Sequence, residues 1–145
     1  MHKIFFSNIF KCLWAKITTP NSTFYVSAVY PPPEPQYCPD ELLDHLTNSC
    51  DRLSDNPNSN LIICGDLSQL DYKDFLTQLN VLQMVNTPTR KDKILDVFIT
   101  NVPHFWRKVS VAQGLVRSDH SVALVYPRNP LKAERKTVMR CTRSS

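Results

Sequence analysis

Glycine and paired cysteines are both scarce in this chain. It contains two glycines, Gly65 and Gly114, so few backbone positions can adopt the conformations that glycine alone tolerates. The five cysteines are odd in number and include no Cys-x-x-Cys pair, so neither a zinc site nor a disulfide framework is indicated. Cys64 lies in an apolar run and is predicted to be a small buried hydrophobic residue. This pattern favours a reducing, intracellular setting, in the nucleus or the cytoplasm.

Long apolar segments are also lacking. No window approaches the ~18 apolar residues of a membrane span, so we expect no membrane partner. The first ten residues resemble a signal peptide only faintly, because their apolar part is broken at Ser7 and Asn8 and no small-residue cleavage site follows. The sequence therefore predicts a soluble chain.

The apolar content that is present is sufficient for one folded domain. The chain has 145 residues, and its hydrophobic share of 42% argues against wholesale disorder. The formal net charge of +4 comes largely from the segment after Pro127, in which Glu134 is the single acid. We expect residues 128–145 to form a disordered basic tail. The body of the chain is close to neutral, so no strong global field is indicated.

The order of the apolar segments predicts a layered α/β fold. Residues 12–17 and 24–30 are β-branched and aromatic runs joined by a turn segment, and they are predicted to pair as strands. The uninterrupted apolar run 61–64 predicts an inner strand that is covered on both faces. A helix is predicted to begin at Pro39, because apolar residues recur at helical spacing along one face: Leu42, Leu43, Leu46, Cys50 and Leu53.

The remaining elements are shorter. Strands or extended segments are predicted at 81–85, 94–100, 109–112 and 122–126, the last of them closing the core. Asp71 is predicted to cap a second short helix. The prolines after Tyr30 predict an extended loop, and a polyproline recognition segment is the competing interpretation.

Polar side chains gather where the predicted strands end: Tyr30, Asp66 with Ser68, Asp96 with Asn101, and Asp119 with His120. Loops beyond the strand ends of an open α/β sheet converge on one site, so several of these loops are expected to line one mouth. Carboxylates with one imidazole suit a hard cation such as Mg²⁺ rather than zinc. This combination fits metal-assisted attack on a phosphate ester, in which His120 offsets charge and Asp66 orients or deprotonates a water.

The tripeptide at residues 118–120 is the most distinctive of these points. An aspartate beside a histidine can hold one imidazole tautomer and stabilise the protonated ring. It can equally cap a turn and have no chemical role. Gly114, a few residues upstream, is predicted to permit a tight or left-handed turn.

Four motifs in this order resemble the endonuclease/exonuclease/phosphatase superfamily: Tyr30 before prolines, Gly65-Asp66-Leu67-Ser68, Leu95-Asp96, and Ser118-Asp119-His120. The segments 86–90 and 94–101 are similar in particular to the apurinic-type endonuclease domain of non-LTR retrotransposons. The resemblance covers residues 12–127 and implies an α/β sandwich of this superfamily, with residues 1–11 as a non-homologous start. It implies a nuclease that nicks target DNA with Mg²⁺ or Mn²⁺. A complementing chain or a downstream reverse transcriptase would be a further partner.

The resemblance also implies a role for each matching position. His120 would contact the scissile phosphate, and Asp119 would lie near the metal ion as a ligand. Asp66 would orient the attacking water. Tyr30 would hydrogen-bond the phosphate, and Asp96 would orient His120.

Neighbouring residues are expected to complete the site. Ser68 stands where the family motif has asparagine, and its shorter hydroxyl can still form a hydrogen bond. Arg90, Asn101 and Arg117 are the predicted nucleic-acid contacts. For the two arginines, a solvated surface position is the competing interpretation.

One departure from the family bears on activity. The family domain packs two halves sheet on sheet, and its first half supplies an asparagine and the main metal-ligating glutamate. We expect this chain to begin near the middle of that domain, and Glu34 and Glu41 lie on the wrong side of the Tyr30 loop to replace the glutamate. A truncated domain of this kind would expose apolar surface, bind metal weakly and hydrolyse DNA weakly or not at all.

Two alternatives stay open at this point. The chain can be a non-catalytic nucleic-acid or protein-interaction fragment, in which the basic tail binds phosphates without hydrolysis. It can also be a phosphatase of the same superfamily that acts on inositol lipids or nucleotides. The Thr-Pro-Thr-Arg segment that ends at Arg90 favours the retrotransposon type over the phosphatase.

Overall fold

The computed structural model of the chain describes residues 2–114 and 118–129, and for residues 2–6 it describes the backbone alone. The strands are β1 (His2–Ser7), β2 (Cys12–Thr18), β3 (Thr23–Val29), β4 (Ser59–Asp66), β5 (Leu82–Gln83), β6 (Asp96–Thr100), β7 (Ser110–Ala112) and β8 (Val122–Leu124). The helices are α1 (Pro39–Ser54), α2 (Lys73–Gln78) and a 3₁₀ turn at Pro103–Phe105. In the described ranges no helix has the length and apolar character needed to cross a membrane.

The strands form one mixed sheet and one small sheet. The six-stranded sheet has the order β1-β2-β3-β4-β6-β5, and β7 pairs with β8 separately. The predicted β2–β3 hairpin is confirmed, with Cys12 opposite Val29. The predicted inner strand is also confirmed, because β4 runs parallel to β3 and antiparallel to β6. The fold class is therefore α/β, as the sequence predicts.

Helix α1 covers one face of the large sheet. Its predicted apolar stripe is buried at Leu42, Leu46 and Cys50, which pack in one cluster with Trp14 and Ile63. Burial raises the pKa of the Cys50 thiol to about 12, so this cysteine stays a neutral core residue at ordinary pH. The helix is thus held by its amphipathic stripe.

The second face is covered in part by the small β7–β8 sheet. Ile62, Phe98 and Val109 are buried there, and partly buried Val111 and Ala123 pack against them. The predicted last strand is shorter than expected: β8 ends at Leu124, and within the described residues its one partner strand is β7. On the same face Leu13 and Ile17 each stay 37% exposed.

The predicted cap of the second helix needs adjustment. The N-cap of α2 is Tyr72, and Asp71 lies one position earlier, where its carboxylate accepts a long 3.4 Å hydrogen bond from the N–H of Lys73. Residues 2–7, which fall in the predicted non-homologous start, pair antiparallel with β2 and so belong to the sheet. Of the predicted basic tail, residues 130–145 lie outside the described residues.

Candidate active site

The ends of three neighbouring strands bring the predicted polar residues together. Strands β3 and β4 are parallel, so Tyr30, which follows β3, and Asp66, the last residue of β4, lie at the same edge of the sheet. Strand β6 runs in the opposite direction, so its first residue, Asp96, lies at this edge and pairs directly with Asp66. Side chains of directly opposed residues project from the same face of a sheet. Two carboxylates therefore stand side by side.

Gly65 makes the close approach of β3 and β4 possible at this edge. Its φ is +148°, and a Cβ atom at this position would lie 1.9 Å from the carbonyl oxygen of Val29. Any other residue would be strained and would clash with the neighbouring backbone. In the sequence, Gly65 is notable only as part of a motif. A glycine at the end of a strand pattern was the signal for this close approach.

His120 and Asp96 form the central contact of the site. The Nδ1 atom of His120 lies 2.9 Å from Oδ2 of Asp96, and both side chains are about one third exposed. The described residues contain no further hydrogen bond to the His120 ring, so Nε2 is available. The Asp96 carboxylate favours the tautomer with the proton on Nδ1.

Thr89 forms hydrogen bonds to both segments that carry this pair. Its side chain is fully buried, and its Oγ1 atom accepts hydrogen bonds of 3.1 Å from the backbone N–H groups of Leu95 and Asp96. Its carbonyl oxygen accepts a 2.6 Å hydrogen bond from the N–H of Ser121, next to His120. In the sequence, Thr89 is notable only as part of the segment 86–90 that resembles retrotransposon endonucleases, and this supporting role was not predicted. No local sequence signal marks it, because the partners lie on other segments.

The loop that carries His120 is held by its own short contacts. The hydroxyl of Ser118 donates to the His120 carbonyl at 3.1 Å and accepts from the His120 N–H at 3.2 Å. Gly114 packs against this turn, since a Cβ there would lie 2.1 Å from the His120 carbonyl oxygen. Of the two predicted alternatives, a tight or a left-handed turn, the left-handed conformation is excluded, because the φ of Gly114 lies outside that region. Lack of space is what requires glycine here.

These residues line an open cleft of about 650 Å³. Its walls include Tyr30, Asp66, Ser68, Asp96, His120 and Arg90. The Tyr30 side chain is 58% exposed there. Asp66 accepts a 3.0 Å hydrogen bond from the backbone N–H of Ser68 through Oδ1, so a short turn fixes its carboxylate. Five of the six predicted catalytic residues therefore share one cleft.

Asp119 differs from the other predicted catalytic residues. It does not line the cleft, and its Oδ2 lies 2.5 Å from the Arg90 guanidinium. The side chains of Arg90 and Asp119 are 43% and 67% exposed. Arg90, a predicted nucleic-acid contact, does line the cleft, but its charge is opposed by this carboxylate. The two residues were predicted to act separately and are in fact a pair.

Asn101, another predicted nucleic-acid contact, does not line the cleft. Asn101 follows the far end of β6, where its Oδ1 accepts from the Leu61 N–H at 2.8 Å and its Nδ2 donates to the Ser59 carbonyl at 3.1 Å. Both ends of its amide are thus used to hold the start of β4, which corrects its predicted role in binding. Arg117 lies outside the described residues.

The described residues do not fit a resident magnesium or manganese site. In residues 2–114 and 118–129, no three His, Cys, Asp or Glu side chains are grouped as ligands. The carboxylates of Asp66, Asp96 and Asp119 are engaged with Ser68, His120 and Arg90 respectively. Mg²⁺ requires near-octahedral oxygen coordination, which this set does not provide. Asp119 as a metal ligand stays a prediction without support from this geometry.

Comparison with known proteins identifies the fold. No protein-family model and no curated protein matches the chain. Among solved structures, it is similar to the endonuclease domain of TRAS1, a telomere-specific non-LTR retrotransposon, with a TM-score of 0.58 and 18% sequence identity. The match covers 81% of this chain but only 64% of that structure, so the chain spans less than two thirds of it. The chain thus has the α/β fold of a non-LTR retrotransposon endonuclease domain, as its motifs predicted.

Proposed function

We propose that the cleft binds a phosphodiester of DNA and hydrolyses it, as an endonuclease site does. The observation that carries this proposal is the 2.9 Å Asp96–His120 contact beside Asp66 at the strand ends. An imidazole held by one carboxylate, next to a second carboxylate, supplies an acid and a base within one cleft. The fold likeness to a retrotransposon endonuclease domain supports the same class of reaction.

His120 is the proposed contact to the phosphate. Its Nδ1–H donates to Asp96, so Nε2 is the ring nitrogen that faces the substrate. In the protonated ring, Nε2–H donates to a non-bridging phosphate oxygen and offsets the negative charge that develops during attack. Arg90 adds positive charge at the cleft wall, and the Tyr30 hydroxyl donates a further hydrogen bond.

Asp66 is the proposed base. Its Oδ1 is used by the Ser68 N–H, and within the described residues its other oxygen has no hydrogen-bond partner. That oxygen accepts a proton from a water as the water oxygen bonds to phosphorus. The bond from phosphorus to the leaving sugar oxygen then breaks, and this oxygen takes a proton from solvent or from His120. The products are a phosphate monoester end and a hydroxyl end.

Metal dependence is a separate part of the proposal. The family resemblance implies Mg²⁺ or Mn²⁺, but the described side chains hold no site for either ion. The roles above are therefore assigned to the side chains alone, and the assay varies the metal directly.

Nicking of supercoiled plasmid tests the function. The wild type is incubated with Mg²⁺, with Mn²⁺ or with EDTA, beside His120→Ala and the control His104→Ala. His104 is exposed on the 3₁₀ turn, away from the cleft. We expect nicking by the wild type and the control and none by His120→Ala. Equal nicking by His120→Ala would reject the assignment.

A second candidate is DNA binding without hydrolysis. It is favoured by the lack of a three-ligand group in the described residues, where Asp119 is paired with Arg90 instead of joining other possible metal ligands. This candidate predicts retention of DNA in a gel-shift assay, no nicking in any metal, and no effect of His120→Ala. The plasmid and gel-shift assays together separate the two candidates.

A further inference from the structure

A second groove opens next to the cleft and is bordered by cations. It has a volume of about 410 Å³ and shares two wall residues, Ser68 and Arg90, with the cleft. Its other walls are Lys91, Asp92, Lys93 and Leu95. We name it the basic groove. Because the walls are shared, a molecule that occupies the cleft can continue into the groove.

The cations are presented by a tight turn. The N–H of Arg90 donates to the Lys93 carbonyl at 3.1 Å, and the N–H of Lys93 donates to the Arg90 carbonyl at 2.9 Å. Lys91 has a φ of +52°, the left-handed conformation typical of two-residue hairpin turns. The buried Thr89 anchors the turn, since its N–H also donates to the Lys93 carbonyl at 2.9 Å. The backbone that carries the two lysines is therefore fixed before any ligand binds.

The charges of the two lysines are not neutralised by ion pairs. Arg90 is paired with Asp119, whereas Lys91 and Lys93 form no ion pair within the described residues. Both are exposed, and Asp92 is the single acid in the groove wall. Exposed lysines are common on protein surfaces, but these two border a groove that joins the proposed catalytic cleft.

We propose that the basic groove binds the phosphates next to the scissile one on the same nucleic-acid strand, through Lys91 and Lys93. This inference rests on the proposed function, because it takes the cleft as the place of the scissile phosphate. Phosphate contacts of this kind position a strand without selecting its sequence. They also make binding depend on salt, since each neutralised phosphate releases condensed counterions.

The test is the salt dependence of binding to a short fluorescein-labelled DNA duplex, measured by fluorescence anisotropy. The variant is Lys91→Gln/Lys93→Gln. Its matched control, Arg107→Gln/Lys108→Gln, removes two exposed charges beside Trp106, which packs on Phe24 at the opposite end of β3. We expect the plot of log K, the DNA association constant, against log salt concentration to be less steep in the variant, with the magnitude of its slope smaller by about 2. The control should keep the wild-type slope.

Two outcomes would contradict the proposal that the basic groove binds DNA phosphates. An unchanged slope in the lysine variant would exclude direct phosphate contacts by Lys91 and Lys93. An equally large change of slope in the control would mean that the effect comes from the net charge of the protein and not from the groove. Failure of the proposed function gives a different pattern, because the wild type then does not nick plasmid while the lysine variant still changes the slope. Circular dichroism of each variant confirms that the exposed substitutions leave the fold intact.

Discussion

The carboxylate of Asp96 and the imidazole of His120 are 2.9 Å apart, although 24 positions separate them in the chain. Asp96 begins β6, and His120 lies in the loop before β8, so the pair joins the large sheet to the segment that leads into the small one. Neither side chain is fully buried, which leaves the imidazole accessible from the cleft. General acid chemistry requires an imidazole that is oriented by a neighbour and accessible to the substrate, as His120 is here.

Asp96→Asn tests whether this contact orients the imidazole. Asparagine keeps the volume, but it can offer its amide N–H to Nδ1, which favours the other tautomer and turns the ring. We expect the plasmid nicking rate to fall by about 10²- to 10⁴-fold. Asp44→Asn, at an exposed acid of α1 outside the cleft and the basic groove, is the control and should keep the rate. Similar rates for both variants would mean that Asp96 has only a structural role.

Thr89→Val tests the buried threonine that supports the pair. Valine matches the shape of threonine but removes the acceptor for the partly buried N–H groups of Leu95 and Asp96. We expect the free energy of unfolding in urea to fall by about 1–3 kcal/mol. Thr89→Ser keeps a hydroxyl acceptor, so its free energy of unfolding should fall by less than that of Thr89→Val. Thr77→Val, on the exposed face of α2, should change it by less than about 0.5 kcal/mol. Equal losses of unfolding free energy in Thr89→Val and Thr77→Val would mean that the Thr89 hydroxyl has no special role in stability.

The comparison of Thr89 with Asp66 shows what sequence alone can predict. Asp66 follows an apolar strand pattern, so its position at a sheet edge is encoded in adjacent residues. Thr89 is defined by hydrogen bonds to residues 95, 96 and 121, and no local pattern contains those partners. The overall order of strands and helices was therefore predictable, whereas the support of the site was not.

Asn101 shows a second limit, which concerns strand direction. The sequence placed it with Asp96 because the two flank the same predicted strand. Since β6 runs antiparallel to β4, only its first residue reaches the cleft and Asn101 lies at the far end. Strand pairing arises from long-range contacts, so the relative direction of β4 and β6 could not be inferred from their separate apolar patterns.

Asp119→Asn tests the ion pair at the cleft wall. An exposed pair of this kind contributes little stability, so we expect the free energy of unfolding to change by less than about 1 kcal/mol. Removing the carboxylate frees the Arg90 guanidinium for phosphate and deletes one negative charge beside the cleft. DNA affinity should therefore rise, most clearly at low salt, where charges are least screened. The double variant Arg90→Gln/Asp119→Asn should lose this gain. Weaker binding by Asp119→Asn would instead show that Arg90 must be held by Asp119.

Gly65→Ala tests the close contact between β3 and β4. The methyl group would be placed 1.9 Å from the Val29 carbonyl oxygen, in a backbone conformation that L residues rarely adopt. We expect a loss of about 3 kcal/mol or more in the free energy of unfolding, because strain and steric overlap add. Ser68→Ala, at an exposed position of the same edge, is the control and should unfold close to the wild type. A well-tolerated Gly65→Ala would mean that the two strands can separate locally at little cost.

His45 gives the chain a pH-dependent stability that is independent of the cleft. Desolvation, with a smaller contribution from the positive charge of Arg52, lowers the pKa of its imidazole, and the ring stacks on Phe10 with centroids 4.6 Å apart. The unfolded chain, with a histidine pKa of about 6.5, therefore takes up the proton first as the pH falls. Stability from the neutral ring is fully present above that pH and is lost as the pH falls towards the folded-state pKa.

The measurement is urea unfolding at about pH 7.5 and about pH 5.5, on either side of the unfolded-state pKa. His45→Phe keeps an aromatic ring against Phe10, and His45→Gln does not, but neither titrates. Both variants should lose less stability than the wild type on acidification, whatever their stability at the higher pH. The difference must come from position 45, since every other histidine is common to the three proteins. An equal loss in all three would place the pH dependence elsewhere in the chain.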